Sequence, residues 1–324
     1  MPRPLMIVTV ALAAYCLLDL AVSAIVAMAW RTRAIAPGNL PPVTRSRRLF
    51  LFRLVPAAAS TFLTLAVVLP AFAAFEPDRH GERSGPALAL LAIVAAWQFA
   101  LAITRAVRTF RVTTAVHREL LRHAVSTDTR VNPAMTAVDS PVPFVALVGV
   151  FRPQLLASTS VLDSCDTSEL ALIAAHERGH LVGQDNVRRW VLGALPDMLA
   201  WTPIHDEIVD AWHHACEDAA DDRATGANVE ARAALAALLL KVVRIAPGKV
   251  WAEAVASPFV EASHALERRV RRLIKDEQEA PAPLAVGPMA ALLALASTCL
   301  AVLESPRALE VVFDVFEALV ALGR

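Results

Sequence analysis

Four stretches of the chain are apolar over lengths that match a lipid bilayer. Leu5 to Trp30 is broken only by Asp19, and Phe50 to Phe75 carries Arg53, Pro56 and Pro70. Pro86 to Thr104 and Leu284 to Leu303 complete the set. A helix of about 20 apolar residues crosses the hydrocarbon core, so each is predicted to be a transmembrane helix, and proline is tolerated in such helices. Ala27-Met28-Ala29 has the small-x-small form of a signal-peptide cleavage site. The run is longer than an ordinary signal core, however, and Arg31, Arg33, Arg45, Arg47 and Arg48 follow it. Export of so basic a loop is disfavoured, so the first run reads as an uncleaved helix. Arg105, Arg108 and Arg111 follow the third span, and Arg268, Arg269, Arg271, Arg272 and Lys275 precede the fourth. All these clusters fall on one side if the N-terminus is outside, residues 105–283 are cytoplasmic and the C-terminal tail is outside. Arg53 is expected to snorkel, and Asp19 to face other helices or an interface.

Between the third and fourth spans lie about 180 residues, enough for one compact domain. Thr104 to Ala124 continues the third span as a helix. Pro133 to Ser140 and Pro143 to Ser158 contain short Val-rich runs bounded by Pro and Gly, read as two or three strands with a turn at Gly149 to Pro153. Asp166-Thr167-Ser168-Glu169 is a capping box that opens a helix. A further helical pattern covers Asn186 to Leu199, with Pro203 closing it, and Ala211 to Ala224 and Arg232 to Ala280 also read as helical. Pro306 to Leu322 is amphipathic and is expected to lie on the membrane.

Composition changes the class and excludes some functions. Hydrophobic residues make up 56% of the 324, above the 45–50% usual in soluble domains. Charge is balanced, 31 basic against 31 acidic, so the basic face of a nucleic-acid binder is not indicated. Arg carries nearly all the positive charge, which fits the coding bias of a GC-rich bacterial genome. The four cysteines are scattered without a C-x-x-C, which indicates neither a disulfide framework nor a thiolate zinc site.

The candidate chemistry lies on the capped helix, where Ala174 to Asp185 reads AAHERGHLVGQD. His176 and His180, four apart, share a helix face, and Glu177 stands beside them. A catalytic zinc takes three protein ligands and keeps a position for water. The third ligand is sought in AWHHACEDAADDRA, Ala211 to Ala224. There Glu217 and Asp221 share a helix face with His213 a turn earlier, while Asp218 and Asp222 turn away. Glu217 as ligand with Asp221 behind a ligand histidine is one arrangement; His213 or His214 as third ligand is another. The only tyrosine, Tyr15, is in the first span, so His213, His214 and Arg223 are the candidates for stabilising an oxyanion.

H-E-x-x-H followed by Asp185, the E-x-x-A-D element Glu217 to Asp221, and Gly149 to Ser158 (GVFRPQLLAS) together resemble the BlaR/MecR-type membrane metallopeptidases, and more distantly the HtpX/Ste24 type. The resemblance covers the four-span layout and most of residues 140–225. It implies a mainly α membrane protein, with four transmembrane helices and a cytoplasmic zincin-like α+β metallopeptidase domain of the gluzincin kind. The segments would be 1–104 (three-helix membrane region), 105–283 (metallopeptidase domain), 284–304 (fourth span) and 305–324 (short extracytoplasmic tail). His176, His180 and Glu217 would bind one Zn2+, Glu177 would be the catalytic carboxylate, Asp221 would sit behind the ligands and Asp185 would support the helix end. Relatives often cleave a transcriptional repressor after an external signal. That makes a protein or peptide, such a repressor among them, the expected substrate, in a multi-pass bacterial inner-membrane protein without direct nucleic-acid contact. Only about twenty residues follow the last span, so β-lactam sensing is not implied. The rival readings are an HtpX/Ste24-like quality-control protease and a non-catalytic signalling protein with a structural metal.

Overall fold

The structure, a computed structural model, describes residues 3–32, 40–75, 85–129, 131–140, 142–245 and 258–275, with single positions between 305 and 318. The span expected at Leu284 to Leu303 and nearly all of the expected amphipathic tail lie outside the described residues.

The first three expected spans are helices. They are α1 (Arg3–Arg31), α2 (Pro42–Leu63), which passes through a π-helical turn (Thr64–Val68) into α3 (Leu69–Phe75), and α4 (Pro86–Arg122). The α1, α2–α3 and α4 segments are each long and apolar enough to cross a membrane. Pro42 and Pro86 start their helices, where a missing N–H costs nothing and the fixed φ is already helical. Val10, Ala13 and Ala14 of α1 pack against Leu88 and Ala92 of α4. Leu20, Ile25, Leu90, Ile93, Trp97 and Ile103 face outward, an apolar exterior that lipid, not water, would solvate. The expected extension of the third span is present, since α4 runs unbroken for 37 residues. Its far end is docked by Trp190, which donates to the Ala106 carbonyl at 3.0 Å, and by the Phe110–Phe151–Trp190 ring cluster.

A four-stranded sheet follows: β1 (Ala124–Asp128), β2 (Met135–Val138), β3 (Val145–Val148) and β4 (Gln154–Ser158), in the order β1-β2-β4-β3. β2 and β4 are parallel and the other pairs antiparallel. The last three strands lie inside the expected segments. β1 was not expected; it is almost wholly exposed, so no apolar alternation marks it. Seven helices complete the described domain: α5 (Thr159–Ser164), α6 (Thr167–Gly183), α7 (Asp185–Gly193), a 3-10 turn (Met198–Trp201), α8 (Pro203–Thr225), α9 (Val229–Ile245) and α10 (Pro258–Ile274). The capping box is formed as read, with the Asp166 carboxylate accepting from Ser168 and Glu169 backbone N–H groups and Glu169 accepting from Asp166 N–H. The single helix expected over Asn186 to Leu199 is instead α7, an irregular turn and the 3-10 turn, because Pro196 cannot continue a helix. Pro203 likewise opens α8 and does not close its predecessor.

Two apolar cores position the domain. Met135, Ala137, Leu155, Ala157 and Val161 of the sheet and α5 pack on Leu170, Ile173 and Ala174 of α6 and Leu238 of α9. Leu49 and Ala57 of α2 pack on Leu192, Leu195, Trp212, Ala215 and Cys216. The domain is thus seated directly on the second span. Polar groups reinforce that seat. Arg53 does not snorkel: it is fully buried, donating to Asp197 at 2.8 Å and to His205 Nδ1 at 2.9 Å. Asp19 accepts from the Met198 backbone N–H at 2.7 Å and from Gln98 at 3.3 Å. The arginines before the expected fourth span are not a free topogenic cluster. Arg268 pairs with Asp218, Arg272 with Asp222, and Arg269 with Asp221 and Glu217, while Arg45 from α2 also reaches Asp218.

Helices α6 and α8 cross with almost no space between backbones. A Cβ on Gly179 would stand 2.8 Å from the Ala220 Cα. Helix propensity alone favours Ala over Gly by about 1 kcal/mol, but overpacking costs about 1–3 kcal/mol. Gly179→Ala is therefore expected to lower the thermal midpoint and to loosen metal retention in a chelator-competition assay. Gly193→Ala, with nothing within 4 Å of the added carbon, is expected to do neither.

Candidate metal centre

His176 and His180 project from the C-terminal half of α6, His180 in its last turn, and Glu217 faces them from α8 across the Gly179–Ala220 contact. One nitrogen of each imidazole and one Glu217 oxygen lie within 4.8 Å of one another. The two Nε2 atoms are 3.2 Å apart, with Glu217 oxygens at 3.7 Å from His176 and 3.6 Å from His180. Of the alternatives for a third ligand, Glu217 is brought to the histidines, and His213 and His214 are not in that group.

Each histidine is held from behind. His180 Nδ1 is hydrogen-bonded to Asp185 at 2.7 Å, and His176 Nδ1 stands 3.0 Å from Asp221, an ion-pair distance without hydrogen-bond alignment. With a proton on each Nδ1 and none on Nε2, the form a metal selects, both Nε2 lone pairs point toward Glu217 and three electron-rich donors meet. A divalent cation satisfies such a set, and His–carboxylate pairs of this kind fix the tautomer and orientation of metal-binding imidazoles. The residues present therefore fit a zinc-type ion.

Local sequence explains how Asp185 arrives. Gln184 takes a left-handed conformation (φ 55°) between α6 and α7, which folds the chain back on the end of α6. Gly183 leaves the room, because a Cβ there would lie 2.5 Å from an Asp185 carboxylate oxygen. Asp221 is fully buried and is gripped by Arg269 of α10, whose Nη2 and Nε lie 2.6 and 3.0 Å from its two oxygens. Arg269 Nη1 also reaches Glu217 at 2.9 Å. Arg269 is the site residue that sequence reasoning missed, since its cluster reads equally well as a topogenic signal.

Electrostatics follow from this packing in the metal-free form. Burial opposes charge on His176, but Asp221 and Glu217 outweigh it and raise its pKa to about 9. Burial also opposes ionisation of Glu217, yet His176 and Arg269 hold it well below the carboxylate range. Glu177 shifts the other way: burial raises its pKa, with the two histidines only partly offsetting this. A carboxylate so placed is a better proton acceptor than an exposed one.

His176, Glu177, His180, Asp185, Glu217 and Arg269 open into one cleft of ≈ 440 Å³, with Asp221 buried behind them. Its walls are β3 (Val145, Ala146, Leu147), α9 (Leu235, Leu238, Leu239, Val242) and the α7 residues Asn186 and Arg189. The candidates for oxyanion stabilisation are elsewhere. None of His213, His214 and Arg223 lines the cleft. Arg223 donates to the Gly179 carbonyl at 2.9 Å. Burial and the Arg189 charge depress the His213 pKa to about 4, so that ring is neutral. Helix-face arithmetic put these residues near Glu217 in sequence but could not say which way α8 presents them.

No curated protein and no solved structure matches the chain. A family comparison does match, over residues 84–273, more than half of the 324. The matched region runs from the start of α4 to the end of α10 and takes in every residue of the cleft. The protein is therefore a membrane protein of the family described as BlaR1 peptidase M56, to which this chain belongs.

Proposed function

We propose that this membrane metallopeptidase is a zinc endopeptidase, with His176, His180 and Glu217 as metal ligands and Glu177 as general base. The convergence of two carboxylate-backed imidazoles and a carboxylate at one end of an open cleft carries the reading. Bound there, the metal supplies Lewis acidity, polarising a carbonyl and making water acidic near neutral pH. The chain's own residues do the rest. Glu177, its basicity raised by burial, accepts the proton of the attacking water and returns it to the departing amine nitrogen. Asp185 and Asp221 keep each Nδ1 protonated, and Arg269 neutralises Asp221 so that a buried carboxylate can stand there.

An extended peptide fits along β3, which lines the cleft and is paired only with β4 among the described residues. Such a peptide adds a strand through its backbone and leaves side chains to the walls. Asn186 fixes that edge by donating to the Leu147 and Gly149 carbonyls at 3.0 and 2.7 Å. The basic residues flanking the first and third spans support an inner-membrane orientation with the N-terminus outside and the cleft cytoplasmic. A cytoplasmic transcriptional repressor is the substrate this orientation favours.

Glu177→Gln is expected to keep its zinc, read by metal analysis, and to lose about 10²- to 10⁴-fold in peptide hydrolysis. A variant that retained both metal and the wild-type rate would remove Glu177 from the mechanism. Zinc must also displace the proton that His176 holds below about pH 9. At pH 7, calorimetric titration of the metal-free protein in buffers of different ionisation enthalpy is expected to show release of about one proton per Zn2+. Apparent affinity is expected to rise with pH and level off near pH 9.

A further inference from the structure

Two adjacent arginines on α7 have different surroundings. Arg188 lies over the Phe50 ring of α2, its guanidinium carbon 5.3 Å from the centroid. Arg189 is exposed and lines the cleft, without a carboxylate partner among the described residues. The other cleft arginine, Arg269, is saturated by Asp221 and Glu217. Asn186, one turn before Arg189, is spent on the end of β3. The opposite wall, from α9, is apolar: Leu235, Leu238, Leu239 and Val242. A peptide lying between these walls would take water from Arg189, and a guanidinium that loses water needs an acceptor in return. A carboxylate matches its planar fork of donors better than any neutral group.

We propose that Arg189 is a specificity-determining residue that binds a carboxylate of the substrate close to the scissile bond, while the α9 wall takes an apolar side chain. The proposal rests on the peptidase reading above and names the substrate class of that site: peptides carrying an acidic group and an apolar residue flanking the cut. The carboxylate belongs either to an Asp or Glu side chain or to a free C-terminus near the cut.

The test uses the full chain, zinc-loaded in detergent, and a mixed synthetic peptide library in C-terminally free and amidated forms. Cut sites are read by mass spectrometry, and peptides retained on immobilised Glu177→Gln protein are read the same way. Wild type is expected to prefer Glu over Gln at one position near the cut by about fivefold, the size an exposed ion pair supports. Arg189→Gln is expected to abolish the preference and Arg189→Glu to replace it with one for Lys or Arg. Persistence of the preference in amidated peptides assigns it to a side chain, and its loss there assigns it to the C-terminus. Equal treatment of acidic and neutral peptides by wild type, or an equal loss on both in Arg189→Gln, overturns the proposal. Retention of acidic peptides without any cleavage by wild type would overturn the peptidase reading and leave the carboxylate subsite standing.

Discussion

Two imidazoles four residues apart make a metal trap only if something decides which nitrogen each presents. Here that decision falls to two carboxylates on different elements. Asp185 reaches His180 because the chain turns back through a left-handed Gln184 over a bare Gly183. Asp221 reaches His176 because α8 lies against α6 at backbone contact, and it can remain charged while buried because Arg269 grips it. Remove either support and the Nε2 pair loses its common focus. The centre is therefore a product of three helices, α6, α8 and α10, with α7 supplying the fourth corner.

The buried polar groups outside the centre follow the same economy. Arg53, Asp197 and His205 form one group, and Asp19, Gln98 and the Met198 N–H another. Both converge on the turn between α7 and α8. Tyr15 adds a hydrogen bond to the Pro196 carbonyl in the same turn. Removing one partner of a buried pair leaves an uncompensated charge and costs about 3–5 kcal/mol, so a substitution at any one of these residues is felt where the turn meets the spans. They lie where the elements bearing Asp185 and Glu217 are joined.

Much of this was legible in the sequence where a residue's neighbours are close along the chain. The three described spans, the capping box at Asp166 and the shared face of His176 and His180 follow from length, spacing and helix period, whereas spacing left Glu217, His213 and His214 all open as third ligand and only the family resemblance chose Glu217. What failed was long-range. The acidic run on α8 read as one functional face from which Asp218 and Asp222 turn away, with no partner foreseen for either, yet Asp218 is 1% exposed and paired with Arg268. The basic run on α10 read as a membrane signal because positive-inside bias and ion pairing leave the same letters. Arg53 was expected at the lipid surface because its carboxylate partner is 144 residues away. β1 carried no alternation, and the turn at Pro196 and Asp197 gave no sign that it is where the domain is fastened to the spans.

Helix α8 is answerable to two masters along one length. Its Ile208 and Trp212 face α1 and α2, and a turn or two later Glu217 faces the histidines. Nothing between them is a hinge: the helix runs 23 residues without a break. A helix spanning a bilayer adjusts its tilt to the thickness of the hydrocarbon around it. Since α8 is seated on such a helix through Leu49, Trp212 and the Arg45–Asp218 pair, a change in that tilt would be carried along α8 toward Glu217 with no hinge to absorb it. The path from bilayer to centre is thus a single rigid rod, α8, packed against α2 at one end and bearing Glu217 toward the other.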